Sequence, residues 1–428
     1  MYNIFLFLSF ILFSVNLSAL NINETIESTV NSNPKVKIGL EKLNESKELI
    51  ESSIGQKLPT ITGTISGTYE TSESKATTGT TTPEKFTDSY KLTVSQNLYD
   101  AGFNDLEISR SEILFNDEII NFQINLQELF LNAITGYFTV INYENSLKAN
   151  KKNFESVSKA LEEVKTKFEL GSSTIYELQS SESSFAIASS NLFAAEKNYE
   201  ISQQSFNRIV GKMPTNLEDI INIDQAINYN ESLKIAFNNN LQLKLIKNQI
   251  ENNKILLLKE QKTKKANLDL KGTAEYSDAS RLEPGTETTK GSIALTLTIP
   301  IFQKNIDNSN IRKYQSKIIQ SELNYNDYEA DLEIEISNLF KDFNISKSEM
   351  ISNLAIIKAS ETLIKILTEE YNIGTKTIKD LIDEESKLLT AKVNYLNSQK
   401  DYFVNYFKIK SLEGTLLNDF EKYLPEIN

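Results

Sequence analysis

Apolar residues recur at every seventh position over two long stretches of this chain. The first reads Leu147, Phe154, Leu161, Phe168 and then, past a glycine, Leu178, Phe185, Leu192, Tyr199, Phe206. The second reads Met350, Ile357, Ile364, Tyr371 and then, again past a glycine, Leu381, Leu388, Tyr395, Tyr402, Ile409. A seven-residue period keeps one stripe of a helix turned towards a neighbouring helix, so each stretch predicts a long antiparallel coiled-coil hairpin. The reversals fall at Gly171 and Gly374, since glycine takes the left-handed conformation that closes a helix. Helices are predicted at about 103–169, 174–211, 305–372 and 377–414. A helix of the first of these lengths would run ~100 Å at ~1.5 Å per residue, a rod that few globular enzymes contain.

Before each pair of helices the period changes to two. Ile61, Gly63, Ile65, Gly67 and Tyr69 alternate with threonine and serine, as do Leu92 and Val94 with Thr93 and Ser95. Leu268, Leu270, Gly272, Ala274 and Tyr276 alternate with Asp269, Lys271, Thr273 and Glu275, and Ile293, Leu295, Leu297 and Ile299 with Ala294, Thr296 and Thr298. Strands are predicted at about 60–70, 89–99, 267–277 and 290–301, with an apolar face and a hydroxylated or charged face. The stretches Ser72 to Pro83 and Asp278 to Thr289, the latter with Pro284-Gly285, are predicted as exposed connecting loops. Alternation over about ten residues suits an outer-membrane barrel lined with water, and it also suits a soluble four-stranded sheet at one end of a coiled coil. Four strands cannot close a membrane barrel, so in the first case the barrel must be shared between chains. Two protomers would supply eight strands and three would supply twelve.

The two halves are copies. Phe168 to Leu178 recurs as Tyr371 to Leu381, displaced by 203 positions, and the same displacement carries Gly211 to Gly414 and Leu98-Tyr99 to Ile301-Phe302. A constant offset over that distance indicates one structural unit used twice. The first copy is placed at 20–217 and the second at 218–428, its pattern starting near Asp224, with Met213-Pro214-Thr215-Asn216 as the joint.

Composition narrows the chemistry. The chain of 428 residues has a formal net charge of -13, no cysteine and no histidine. The acidic balance argues against nucleic acid as a partner. Disulfides, thiolate metal sites, thiol nucleophiles and an acylated N-terminal cysteine are excluded, and so are the commonest general base and metal ligand. No nucleophile–base or metal constellation can be assembled and no phosphate-binding glycine loop is present, so the reading is of a protein that is no enzyme and needs no cofactor. Met1 to Ala19 is an uncharged apolar run ending in Ser18 and Ala19, read as a cleaved secretory signal, with an uncleaved anchor helix as the alternative. No later stretch is long and apolar enough to span a bilayer as a helix, so a membrane-embedded mature chain would cross it as strands.

The order helix, strand pair, long helix, glycine turn, helix, used twice, resembles the TolC family of outer membrane factors. The strings that carry the likeness are Asn33-Pro34, Leu58-Pro59, Tyr137-Phe138-x-Val140-Ile141-Asn142, Ile299-Pro300-Ile301-Phe302 and Ile378-Lys379-Asp380-Leu381-Ile382-Asp383. One departure is Gln303-Lys304-Asn305, which stands where the family has a glycine pair. The resemblance implies a fold that is mainly α with a β-barrel portion: a homotrimer whose twelve-stranded barrel continues into a barrel of twelve helices. It implies a passive exit duct of a tripartite efflux pump or type I secretion system, set in the outer membrane and reaching into the periplasm. Its partners would be outer membrane lipid, a periplasmic adaptor and an inner-membrane transporter that supplies the energy. The alternative is a periplasmic or surface coiled-coil structural protein without a pore.

Asp380 and Asp383 lie three apart and share one helix face, and a threefold axis would gather six such carboxylates into a cation-attracting ring. The resemblance puts the channel constriction at these two residues. Thr377 three residues before Asp380 also spells a capping box, and a solvated helix face is the plainer reading of Asp383. The resemblance further assigns Glu177 and Lys376, aided by Tyr176 and Tyr371, to a gate latch. Thr174 before Glu177 again spells a capping box. The tips Leu170-Gly171-Ser172 and Ile373-Gly374-Thr375 are, by resemblance, where the adaptor docks.

Overall fold

The computed structural model of the protein describes residues 20–71, 73–77, 79–81, 84–218, 227–279 and 287–426. The leader, Asp224 and Pro284-Gly285 lie outside them. The observed class is mainly α with a four-stranded antiparallel sheet, as the two periods require.

In chain order the elements are α1 (Ile22–Ser32), α2 (Pro34–Gly55), β1 (Thr60–Thr71), β2 (Ser74–Ala76), β3 (Gly79–Thr81), β4 (Glu84–Tyr99), α3 (Phe103–Glu169) and α4 (Ile175–Val210). The second half follows with α5 (Tyr229–Asn239), α6 (Leu241–Lys262), β5 (Asn267–Asp278), β6 (Glu287–Thr298), α7 (Ile306–Asn372), α8 (Ile378–Leu412) and a 3₁₀ segment, Asn418–Tyr423. Helices α3 and α7 each hold 67 residues and start 203 positions apart. Elements ahead of the strand connector are offset differently: α1 to α5, α2 to α6 and β1 to β5 are each displaced by 207. The four positions are lost between the strands of the second copy, whose β5 ends at Asp278 and whose β6 begins at Glu287. In the first copy the corresponding segment carries the small β2–β3 hairpin, where a plain loop was expected.

Strand β4 begins at Glu84, five residues before the expected start, because Phe86 and Asp88 stay in register with Tyr69 and Gly67 of β1. Strand β6 stops at Thr298 where it was expected to reach Ile301; Pro300 has no N–H to give to a ladder.

Two compact units emerge from the packing, and each draws on both copies. The first comprises the described residues up to Ile38, Gln123–Asn240 and Ala330 onward; the second comprises Gly39–Phe122 and Leu241–Glu329.

In the second unit the sheet order is β1-β4-β5-β6, all antiparallel. Its register stacks Ile61, Val94, Gly272 and Ile293 in one row, and Ile65, Tyr90, Tyr276 and Thr289 in another row on the same face. The opposite face carries Thr62, Thr93, Thr273 and Ser292, then Thr64, Lys91, Glu275 and Lys290. The apolar face is uncovered: Ile65 is 79% exposed and Ile293 is 85% exposed. Strands β1 and β6 are the two edges of the sheet, each twelve residues long and exposed throughout. Beneath the sheet, Glu107 of α3 pairs with Arg110 at 3.1 Å and with Lys259 of α6.

In the first unit, Tyr137 is wholly buried and its hydroxyl shares its one proton between the carbonyls of Leu20 and Glu218, at 3.0 and 2.9 Å. Those two segments meet in a parallel bridge between Leu20 and Leu217. Phe206 and Ile409, at matched places in the two copies, are buried to within 1%.

Gln303-Lys304-Asn305, where the resemblance leads one to expect a glycine pair, has a visible outcome. In the first copy the turn into α3 puts Ala101 and Gly102 in the left-handed region, with φ of 57° and 83°. In the second, Lys304 and Asn305 hold that same region at 52° and 60°. The turn geometry is therefore kept without either glycine, at a steric cost that falls on Lys304 most, since asparagine tolerates this region better.

Candidate functional site

Both hairpins of the first unit close the same way. Helix α3 ends with Gly171 at φ 76°, and Ser172 N–H returns to the Lys167 carbonyl at 2.8 Å. Helix α7 ends with Gly374 at φ 78°, and Thr375 N–H returns to the Glu370 carbonyl at 2.9 Å. These left-handed closures leave the preceding apolar residue uncovered at each tip, with Leu170 78% and Ile373 75% exposed.

The return helices then start on matched capping boxes. Thr174 N–H donates to Glu177 Oε2 at 2.9 Å while Glu177 N–H donates to Thr174 Oγ1 at 3.2 Å. Ser173 Oγ adds another bond to the same carboxylate at 2.6 Å. These bonds, Ser173 first, hold the Glu177 carboxyl below the usual range. Thr377 N–H and Oγ1 donate to Asp380 Oδ2 at 2.9 and 2.8 Å, and they lower the Asp380 carboxyl in the same way. Both bonds fall on a single oxygen, so the cap and an outward-facing charge coexist at Asp380. Asp383, one turn on, pairs with Lys379 at 2.9 Å on the exposed helix surface.

Of the four residues expected to form a latch, Tyr176 is exposed, and Glu177 and Lys376 share no ion pair among the described residues. Tyr371 has partners that the sequence pattern does not reveal. Its hydroxyl accepts from Lys167 Nζ at 2.7 Å and donates to Glu163 Oε1 at 2.7 Å, and Lys167 pairs with Glu163 at 2.8 Å. Lys167 also sits 4.5 Å from the Tyr371 ring centre. The three groups tie the end of α7 to α3. The bond to Glu163, then that to Tyr371, pushes the Lys167 ammonium up to about 12. Burial raises the Tyr371 phenol. Beside this lock, Val157, Ala160 and Val164 of α3 pack with Ala188 of α4 and with Ile378 and Ile382 of α8.

Among the described residues no helix is long and apolar enough to cross a membrane, and no group of three acidic side chains is gathered to hold a metal ion.

Residues 26–212 match the family described as outer membrane efflux protein. The outer membrane protein TolC of Escherichia coli K12 is 22% identical over 312 residues, 69% of this chain and 63% of that protein, so the aligned chain spans less than two thirds of that relative's length. The outer membrane efflux protein BepC of Brucella suis is 20% identical over 379 residues, 85% of this chain and 80% of that protein. Among solved structures, the CmeC outer membrane channel of Campylobacter jejuni superposes with a TM-score of 0.80 at 15% identity, covering 94% of this chain and 90% of CmeC. The outer membrane protein VceC of Vibrio cholerae gives 0.74 at 14%, covering 92% and 96%. Residues 26–212 thus match the outer membrane efflux protein family, the chain is similar in sequence to TolC, and it has the fold of these outer membrane channels.

Proposed function

We propose that this chain is one protomer of a homotrimeric outer-membrane duct that reaches into the periplasm and passes cargo delivered by an inner-membrane transporter through a periplasmic adaptor. The observation that carries the reading is the sheet: two bare edges, a hydroxylated face and an uncovered apolar face. Lipid tolerates neither unpaired backbone groups nor an open edge. Pairing β1 of each protomer with β6 of the next removes every edge, and three copies give twelve strands with threonine, lysine and glutamate turned to the lumen.

In this assembly Asp380 and Asp383 form the constriction. The Glu163–Lys167–Tyr371 lock joins the expected latch residues Glu177, Lys376 and Tyr176 in holding the resting state, and the adaptor engages the tips at Leu170-Gly171-Ser172 and Ile373-Gly374-Thr375. Each exposed pair is worth only about 0–1 kcal/mol, so the closed state depends on several acting together.

The test is detergent extraction followed by single-channel recording in planar bilayers. A detergent-stable trimer with cation-preferring conductance is expected. Replacing Asp380 and Asp383 together by alanine should raise conductance and weaken block by divalent cations. Asp380→Asn, which keeps an oxygen for the cap, should weaken block while leaving the tip folded. A protein that stays monomeric without detergent and forms no pore would overturn the reading in favour of a coiled-coil structural role.

A further inference from the structure

Consecutive glutamates on α8 reach to opposite neighbours. Glu384 is buried, and accepts from Ser360 Oγ of α7 at 2.7 Å and from Lys387 at 3.2 Å. Glu385 turns the other way and accepts from Ser156 Oγ of α3 at 2.5 Å. It sits in a cleft of about 340 Å³ between α3, α7 and α8, floored by Ala149, Ile364, Leu388 and Leu389. The other charges lining the cleft are Lys152 of α3, Glu361 and Lys365 of α7, and Lys392 of α8, and Lys392 is already paired with Glu361 at 3.0 Å. The ionised Glu385 therefore has one serine hydroxyl and the pull of Lys152 to offset its loss of water.

We infer that Glu385 is a proton-sensitive release in the α3–α8 seam, its charge favouring separation of the two helices at neutral pH and its neutralisation favouring their closure. The inference rests on the proposed reading of a duct whose hairpins part. Burial is the largest influence on this carboxyl and raises its pKa, while Ser156 and Lys152 oppose the rise. The sign follows from linkage. An acid that holds its proton more tightly in the closed seam than in water stabilises the closed seam when protonated, and that support is lost as pH rises through its raised pKa. Parting the helices lets the charged Glu385 hydrate. The matched residue of the first copy, Glu182 of α4, accepts a bond at 3.0 Å from Gln179 of its own helix, whereas Glu385 reaches across to the other hairpin.

The chain has no cysteine, so a single pair introduced at the exposed positions Glu155 of α3 and Ser386 of α8 gives two unique sites for spin labels. In the detergent-solubilised full chain, the distance distribution between them should be broad at pH 7.5 and should narrow to its shorter component at pH 5. The ratio of the two components should change by up to about tenfold for each pH unit over which Glu385 titrates differently in the two arrangements. Glu385→Gln, a neutral isostere, should show the narrow distribution at both pH values. Ser156→Ala, which removes a bond to the charged form, should move the transition to higher pH. A pH-independent distance in the parent, or a pH response that persists in Glu385→Gln, would overturn the inference. Bilayer recordings on the same samples separate the two readings, since failure of the duct would abolish conductance whatever the labels report.

Discussion

The α3–α4 hairpin and the α7–α8 hairpin are built to one plan and filled differently. Both long helices have 67 residues, both tips close on a left-handed glycine, and both return helices start on a threonine capping box. Along the buried seam of α4 stand Ser181, Ala188, Ala195 and Ser202, all small. At the matched positions of α8 stand Glu384, Ala391, Ser398 and Asn405. Glu384 is held by Ser360, and Asn405 donates to Ser346 at 3.3 Å. On the α3 side, Asn142 donates to Asn397 at 3.0 Å. Small residues allow close helix approach and leave little polar surface to satisfy, whereas buried amides and carboxylates need their partners in place. The second hairpin thus relies on specific hydrogen bonds where the first relies on fit, and a hydrogen bond can be exchanged for water when helices part.

The comparison is tested most severely where the copies share an apolar anchor. Phe206→Ala should cost about 3–5 kcal/mol and Ile409→Ala about 2–5 kcal/mol in chemical denaturation, because both side chains are fully enclosed. A loss at one anchor well below its range would mean that the two copies do not share this enclosure. A smaller effect should follow from Tyr137→Phe. The matched residue of the second copy is already Phe340, which packs edge-on against Tyr229 with ring centres 5.6 Å apart. Removing the Tyr137 hydroxyl takes that donor from the Glu218 carbonyl, while the Leu20 carbonyl keeps the Glu218 N–H at 3.2 Å, at a cost of about 1–3 kcal/mol by the same measurement. Smaller again, Lys304→Gly should stabilise by about 0.5–1 kcal/mol by relieving a left-handed lysine, and Ala101→Gly should gain a similar amount.

The smallest effect concerns pH. Glu177 and Asp380 both cap in the charged form and both have lowered pKa values, so their contribution is present above the unfolded carboxylate range and is lost as pH falls through the folded value. Amide protection at Glu177 and Asp380, corrected for intrinsic exchange, should fall together on acidification. Loss at one tip alone would separate the two hairpins.

The pattern made much of this legible. Heptads placed the four long helices, alternation placed the sheet, and a displacement of 203 paired the copies from the second strand of each pair onward, because periodic burial leaves a periodic trace in sequence. The β2–β3 hairpin left none, since its run of serine, threonine and glycine has no alternation. The tip lock was hidden for another reason. Glu163 and Lys167 are four apart on a helix surface and read as an ordinary i, i+4 pair, and Tyr371 occupies a heptad position that packing alone explains. Only their approach across two helices more than two hundred residues apart in sequence reveals the group. Glu385 escaped similarly, because a glutamate on a polar helix carries no mark of the cleft it will occupy.

The uncovered edges β1 and β6 carry a consequence for biogenesis. A newly folded single copy offers two ready templates for strand addition and an oily patch beside them, the features that nucleate fibrils. Production of this polypeptide away from lipid or surfactant should therefore yield sediment at high concentration, and a holding chaperone that shields those strands should raise the recovered yield.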